Sequence, residues 1–314
     1  MELHALVVKL KALHQELGRT PNRQQFIDSG VSDWQLRKIT FGEIVEAAGL
    51  EFSNANKFKP SKPKIFLYDI ETAPILANVW GLFDQNVGLN QIEKDWHLLS
   101  WSGKWLGEDE IFYHDQRNAE NMEDDSEILK SLWEKLNEAE ILIGHNSKKF
   151  DTKKVNARFI YHGMRPVSEL RQVDTLNIAR RHFAFTSNKL AHLAKFLKCN
   201  DQKSEHKKFV GFDLWTQCLK GNLEAFQEME AYNKMDVIVL EEVYKKLLPW
   251  DQTINYGIFE QDSVCACGSN KFKANGHKYT NSGKFQRHEC KGCGKSFYGK
   301  QNLIDPQIRK GLLR

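Results

Sequence analysis

The sequence predicts an α/β protein built on a mixed sheet, with a helical module ahead of it and a cysteine-rich module behind it. Three observations carry this expectation. Apolar residues keep helical spacing from Leu3 to Leu17 and in short bursts up to Leu50, then give way after residue 64 to short apolar runs that alternate with helical periods. The stretch from Asn54 to Pro63, with its prolines and lysines, separates the two regimes. Four of the six cysteines fall within residues 265–293.

At 314 residues the chain exceeds the usual size of one domain. A hydrophobic share of 41% against 27% charged residues, with mean hydropathy −0.56, fits a globular chain that can bury a core. No run approaches the ~18 uncharged apolar residues of a membrane span, and the chain opens on an amphipathic stretch instead of a secretory leader. The expectation is a cytoplasmic protein, of a bacterial cell or a virus-infected host, with no membrane partner. The net charge of +4 hides a gradient: residues 61–140 sum to −10, whereas residues 271–314 sum to +9. A surplus of that density favours a polyanion through phosphate neutralisation; the plain alternative is a solubilising tail.

In residues 1–53, Leu3–Leu17 reads as a helix stopped by Gly18. Thr20-Pro21 reads as an N-cap with proline at the first helical position, opening a short helix through Phe26 and Ile27 to Gly30. Ser32 opens a third through Trp34 and Leu36, and Phe41–Ala48 forms a fourth ending at Gly49. Short helices on tight turns make a helix-turn-helix-like module. Gly18-Arg19-Thr20-Pro21, Phe41-Gly42 and Ala47-Ala48-Gly49-Leu50 resemble the small repeat associated with homing endonucleases. That resemblance implies a module that contacts DNA. Residues 54–63 follow as a linker.

Residues 64–250 form the α/β domain. Strands are expected at Ile65–Ile70, His97–Leu106, Glu110–Tyr113 and Ile141–Ile143, and helices at Ile128–Leu136, Arg158–Tyr161, Leu190–Leu197, Leu223–Tyr232 and Val237–Leu247. Acids fall at telling places on these elements. Asp69 and Glu71, two residues apart at the end of the first strand, point to one face. Asp151 follows Ile141–Ile143 across a turn holding Gly144 and Asn146, and Phe150 is expected to anchor the next helix. Asp236 lies four residues after Tyr232, so phenol and carboxylate share a helix face.

This set resembles the tyrosine-containing branch of the DEDD superfamily of 3′-5′ exonucleases, which have the ribonuclease H-like fold. It is similar in particular to the proofreading domains of family-B DNA polymerases. Asp69 and Glu71 match the first motif, Asn146, Phe150 and Asp151 the second, Tyr232 and Asp236 the third. Phosphodiester hydrolysis needs an activated water and charge neutralisation on attacking and leaving oxygens, which two divalent ions ~4 Å apart supply. Hard oxygen ligands suit Mg²⁺ or Mn²⁺. The resemblance implies that Asp69 bridges two such ions, that Glu71 and Asp236 hold the one that activates water, and that Asp151 serves the other, directly or through water. It also implies that Tyr232 orients the water and that Thr72 lies beside the scissile nucleotide.

Nucleic acid is the expected partner, with single-stranded DNA favoured and RNA open. Asn146, Lys148, Lys149 and Arg158, with Lys153, Lys154, Lys203, Lys207 and Lys208 as a wider rim, are the candidate contacts. Trp80, Phe83, Trp96, Trp101 and Trp105 offer stacking surfaces, although alternate aromatics on a strand usually face a core. His145 reads as structural, and Cys199 and Cys218 as small buried hydrophobes. The expected function is a 3′-5′ exonuclease. The alternatives are a non-catalytic DNA-binding or recombination accessory protein, an exoribonuclease, or a structure-specific endonuclease on the same fold.

Residues 258–300 resemble a zinc ribbon. Cys265-Ala266-Cys267-Gly268 and Cys290-Lys291-Gly292-Cys293-Gly294 form two knuckles around a hairpin, the arrangement for one structural Zn²⁺. The first pair has one intervening residue where a ribbon usually has two, so His277 or His288 stands as a substitute for Cys265. Residues 301–314 are expected to be a basic tail.

Overall fold

The computed structural model describes residues 2–18, 20–32, 35–36, 39–50, 63–201, 208–254, 264–265 and 267–311. Contacts divide the chain into two compact units, residues 1–60 and 61–314.

The first unit holds helices α1 (Glu2–Leu17), α2 (Arg23–Asp28) and α3 (Phe41–Ala47). Leu6, Leu10, Phe26, Leu36, Ile44 and Val45 form its core. Reciprocal caps start the short helices: the Asn22 side chain accepts from Gln25 N while Gln25 reaches back, and Thr40 and Glu43 do the same for α3. Asn22 is therefore the cap, not Thr20, and Pro21 precedes it. Thr20 is buried, with its hydroxyl 3.3 Å from His14 Nδ1. Of the third helix expected here Ser32, Gln35 and Leu36 are described, and the Ser32 hydroxyl accepts from Gln35 N at 3.3 Å. The expected linker, residues 54–63, falls almost wholly outside the described residues.

The second unit carries strands β1 (Ile65–Thr72), β2 (Leu76–Ala77), β3 (Ile92–Lys94), β4 (Leu98–Trp105) and β5 (Ile111–Asp115). Helix α4 (Ser126–Glu138), β6 (Ile141–Gly144), α5 (Asp151–Tyr161), β7 (Arg171–Asp174), α6 (Thr175–His182), α7 (Leu190–Phe196), α8 (Asp213–Leu219) and α9 (Leu223–Leu247) follow. The main sheet has the order β5-β4-β1-β6-β7. Strands β5, β4 and β1 pair antiparallel, while β1, β6 and β7 run parallel. This mixed sheet with helices on both faces is the ribonuclease H-like architecture expected from the sequence.

Strand β1 is central and buried on both faces, which is why it reads as an unbroken apolar run. Ile65 and Leu67 pack with α6, α7 and α9, whereas Phe66, Tyr68 and Ile70 pack with α4 and α5. Alternation then places Asp69 and Glu71 on the α9 side, where the apolar surface of the strand ends. Helix α9 runs 25 residues from its cap at Asn222, whose side chain accepts from Glu224 N and Ala225 N. It is one helix and not the two that the sequence suggested. The apparent break is a polar patch, Tyr232 to Asp236, between two apolar stretches.

After residue 264 the chain forms a second sheet from β8 (Phe272–Thr280), β9 (Gly283–Cys290) and β10 (Ser296–Asn302), in the order β10-β9-β8, then α10 (Pro306–Lys310). The tail expected from residue 301 is thus partly ordered: β10 reaches Asn302, and Asp305 caps α10 by accepting from Gln307 N. Strand β7 and helices α6 and α8 were not anticipated either.

Candidate metal centre and its cleft

Strand β1 and helix α9 bring three acids together. Carboxylate oxygens of Asp69, Glu71 and Asp236 all lie within 4.8 Å of one another. A close group of hard oxygen donors fits a small divalent cation and is poor in anything softer. Its frame is rigid. Asn233, fully buried, donates through Nδ2 to Asp69 Oδ2 at 2.7 Å and accepts at Oδ1 from the Ser100 hydroxyl, while its carbonyl accepts from Ser102 Oγ at 2.7 Å. The helix is pinned to β1 and β4 through the residue that orients Asp69. Sequence reasoning passed over Asn233, because an amide within a helix carries no spacing signal.

Asp151 lies outside that close group, on the first turn of α5. Its carboxylate accepts from Ile70 N at 3.3 Å, the peptide between the two β1 acids. Burial, which outweighs the backbone N–H groups of Asp151 and Ile70, pushes its carboxyl up to about 7, with the charge of Asp174 adding to the rise. Asp174 is a second organiser that sequence reasoning missed. Buried at the end of β7, it accepts from Asn146 N (2.9 Å), Lys148 N (3.4 Å) and Leu176 N (3.0 Å). It thereby holds the turn into Asp151, where Asn146 adopts φ +66°. Tyr68 adds a tie, its hydroxyl 2.8 Å from Thr152 Oγ1.

Tyr232 stands one helical turn before Asp236 with its ring edge-on to Trp215, centroids 6.1 Å apart. Trp215 also lines a cleft of about 500 Å³ with Thr72, Ile75, Trp96, Phe150, Lys154 and Phe212. Thr72 directly follows Glu71, so the cleft opens beside the acids. It is mostly apolar, with four aromatic rings. Lys154 sits in it with Nζ 3.8 Å above the Trp96 ring and 5.1 Å from that of Phe150, and burial pulls its ammonium below the usual lysine range. Phe150 is thus a half-exposed cleft residue and not the helix anchor expected; Val155 and Phe159 do that work.

A family model described as the RNase_H superfamily matches residues 88–248, more than half of the chain. The chain belongs to this superfamily. Asp151, Tyr232 and Asp236 lie inside the matched span, and Asp69 and Glu71 lie ahead of it. No curated protein shows a match to the chain. Among solved structures, the family B DNA polymerase from the hyperthermophilic archaeon Pyrobaculum calidifontis is similar at 12% identity and a TM-score of 0.44, covering 64% of this chain and 27% of that one. The chain spans little more than a quarter of that polymerase.

Other expected site residues of this RNase_H superfamily member divide by environment. Lys148 and Lys149 are exposed on the turn before α5. Arg158 is instead committed internally. Its Nε and Nη2 donate to fully buried Asp125 at 2.8 and 2.7 Å, and His162 Nε2 lies 2.6 Å from the same carboxylate. An arginine neutralising a buried carboxylate is a structural tie and not a phosphate contact. Arg117 likewise takes up Asp115 and Glu230. Trp101 is core, donating to the Ile128 carbonyl, and Trp105 packs on Phe66. Trp80 and Phe83 are 99% and 83% exposed. His145 is bound at both ring nitrogens, by Thr175 Oγ1 and the Asn188 carbonyl. Cys199 and Cys218 are buried as expected, and burial pushes the Cys218 thiol up to about 12. Lys203 and Lys207 lie outside the described residues, and Lys208 pairs with Glu224.

The cysteine cluster closes with four thiols. Sulfurs of Cys265, Cys267, Cys290 and Cys293 lie within 4.8 Å of one another, with Cys265–Cys293 at 3.5 Å and Cys267–Cys290 at 3.6 Å. A tetrahedral ion with Zn–S bonds of ~2.3 Å sets its sulfurs ~3.8 Å apart, so the set fits Zn²⁺. Cys265 belongs to it despite the short spacing, and neither His277 nor His288 does. Against burial, which raises it, backbone N–H groups of Cys293 and Gly292 bring the Cys290 thiol down to about 6.

Proposed function

We propose that the protein is a metal-dependent 3′-5′ exonuclease acting on single-stranded DNA, with one structural Zn²⁺ in the cysteine cluster and a DNA-contacting N-terminal module. The observation that carries this reading is the convergence of Asp69, Glu71 and Asp236 beside an aromatic cleft, with Tyr232 one turn away. Mg²⁺ or Mn²⁺ bound by these carboxylates and by Asp151 supplies charge neutralisation and makes water acidic enough to lose a proton. The protein does the rest. Asn233 fixes the Asp69 carboxylate, and Tyr232 orients a water without abstracting its proton, since a phenol near pKa ~10 is a poor base at neutral pH. Trp96, Phe150 and Phe212 take up the terminal base, while Lys154, Lys148 and Lys149 meet phosphates. Polarity and the preference for DNA rest on the resemblance of the motifs.

The test is hydrolysis of 5′-labelled single- and double-stranded DNA and RNA with Mg²⁺ or Mn²⁺, resolved at single-nucleotide steps. A ladder descending from the 3′ end of single-stranded DNA is expected. Internal cuts would make it an endonuclease, RNA alone an exoribonuclease, and no hydrolysis with retained binding an accessory protein.

A further inference from the structure

We propose that one face of the C-terminal sheet is a stacking platform for single-stranded nucleic acid. The pairing register fixes which side chains share that face. Lys278 on β8 lies opposite Phe285 on β9, and Tyr298 on β10 lies opposite Arg287 on β9. Phe285 and Arg287 are two residues apart, so all four project to the same side. Contacts across the sheet agree: the Phe285 and Tyr298 rings are 6.2 Å apart, and Lys278 Nζ sits 3.5 Å above the Tyr298 ring. The opposite face takes Phe272 and Phe297, whose rings pack edge to face at 5.7 Å, and the Cys290 side.

The occupied side is neither core nor plain surface. Tyr298 is 56% exposed, and Arg287 is exposed with its Nε donating to the Asn275 carbonyl. Aromatic rings interleaved with a lysine and an arginine, in a segment of charge +9, complement a strand whose bases need π-faces and whose phosphates need cations. The lysine above Tyr298 occupies the place of a base. When a base stacks, the ammonium moves to the flanking phosphate, keeping its charge partnered. A duplex offers its phosphates but not its base faces, so the surface selects unpaired strands. The platform deepens the proposed function by giving the same class of substrate a second contact, yet it requires no hydrolysis.

The experiment measures anisotropy of a labelled oligothymidylate and of a labelled duplex against the full chain in an Asp69→Asn background, which keeps the probe intact. Tyr298→Leu, which keeps bulk and loses the π-face, should weaken oligothymidylate binding about tenfold or more. Tyr298→Phe should stay within about twofold, and Lys278→Gln should flatten the salt dependence by ~0.7 per lost phosphate contact. Wild-type affinity in Tyr298→Leu, an equal loss in Tyr298→Phe, or a duplex bound as tightly as the single strand each overturns the platform. A parent protein that binds by this pattern but hydrolyses nothing would leave the platform standing and remove the nuclease.

Discussion

The two ligand clusters are built of opposite materials on opposite foundations. Asp69, Glu71 and Asp236 project from an eight-residue strand and a 25-residue helix rooted in the core, where Leu67 and Val237 are fully buried. The four cysteines stand at turns beside a sheet in which, among the described residues from 264 on, the cysteines Cys265 and Cys290 are the buried hydrophobic side chains. A packed scaffold holds donors in place before any ion arrives, whereas a segment without a core depends on the ion to hold it together. Metal at the first cluster should therefore control chemistry, and metal at the second should control folding.

The largest effect expected from this contrast is on the C-terminal sheet. Removing zinc, or making Cys290→Ser, should unfold β8–β10, since structural zinc is worth on the order of 10 kcal/mol or more. Hydrogen exchange should show protection lost there and kept in residues 63–254. Full protection without metal would erase the distinction. Next comes the acid cluster, where Asp69→Asn or Asp236→Asn should lower hydrolysis at least about a hundredfold while the melting temperature moves little. Tyr232→Phe should cost less, because it leaves every carboxylate in place. Near-normal turnover in either Asp variant would break the assignment.

Asn233→Ala sharpens the idea that this scaffold is preset. The half-saturating Mg²⁺ concentration should rise about 10- to 100-fold, and activity should largely return at saturating metal. A fall in maximal rate with unchanged metal dependence would count against an orienting role. The smallest effect is a pH dependence. Burial raises the Asp151 carboxyl from 3.8 to about 7, so between those values the folded chain keeps a proton that the unfolded chain has released. The contribution of Asp151 to metal-free stability should thus be full below about pH 4 and fade towards about pH 7, and Mg²⁺ should raise the melting temperature more at pH 8 than at pH 5. Asp151→Asn should flatten that slope in calorimetric scans.

Much of the centre was legible because strands announce themselves. Ile65 to Tyr68 is an apolar run too short for a helix, and alternation puts Asp69 and Glu71 on one side of it. Helix α9 was harder. Its buried stripe turns from Met229 to Asn233 and Asp236 and back to Val237, so the polar patch that makes the site also interrupts the apolar period. Strand β7 was missed because Arg171, Gln172 and Asp174 disguise a strand with one buried apolar residue, Val173. Arg158 looked like a phosphate ligand, since nothing in its own helix reveals that Asp125, 33 residues earlier, waits beneath it. The cleft gathers Trp96, Phe150 and Trp215 from separate segments, and no local spacing connects them.

The bond between Asn233 and Asp69 joins positions 164 residues apart. During synthesis, then, β1 with its two acids emerges long before the helix that completes the cluster, and at ~5–20 residues per second that interval lasts on the order of ten seconds or more. Throughout it the nascent chain carries only part of the acid cluster. Released from the ribosome at any point before residue 236, it would lack the full carboxylate set and, with it, the hydrolysis proposed above.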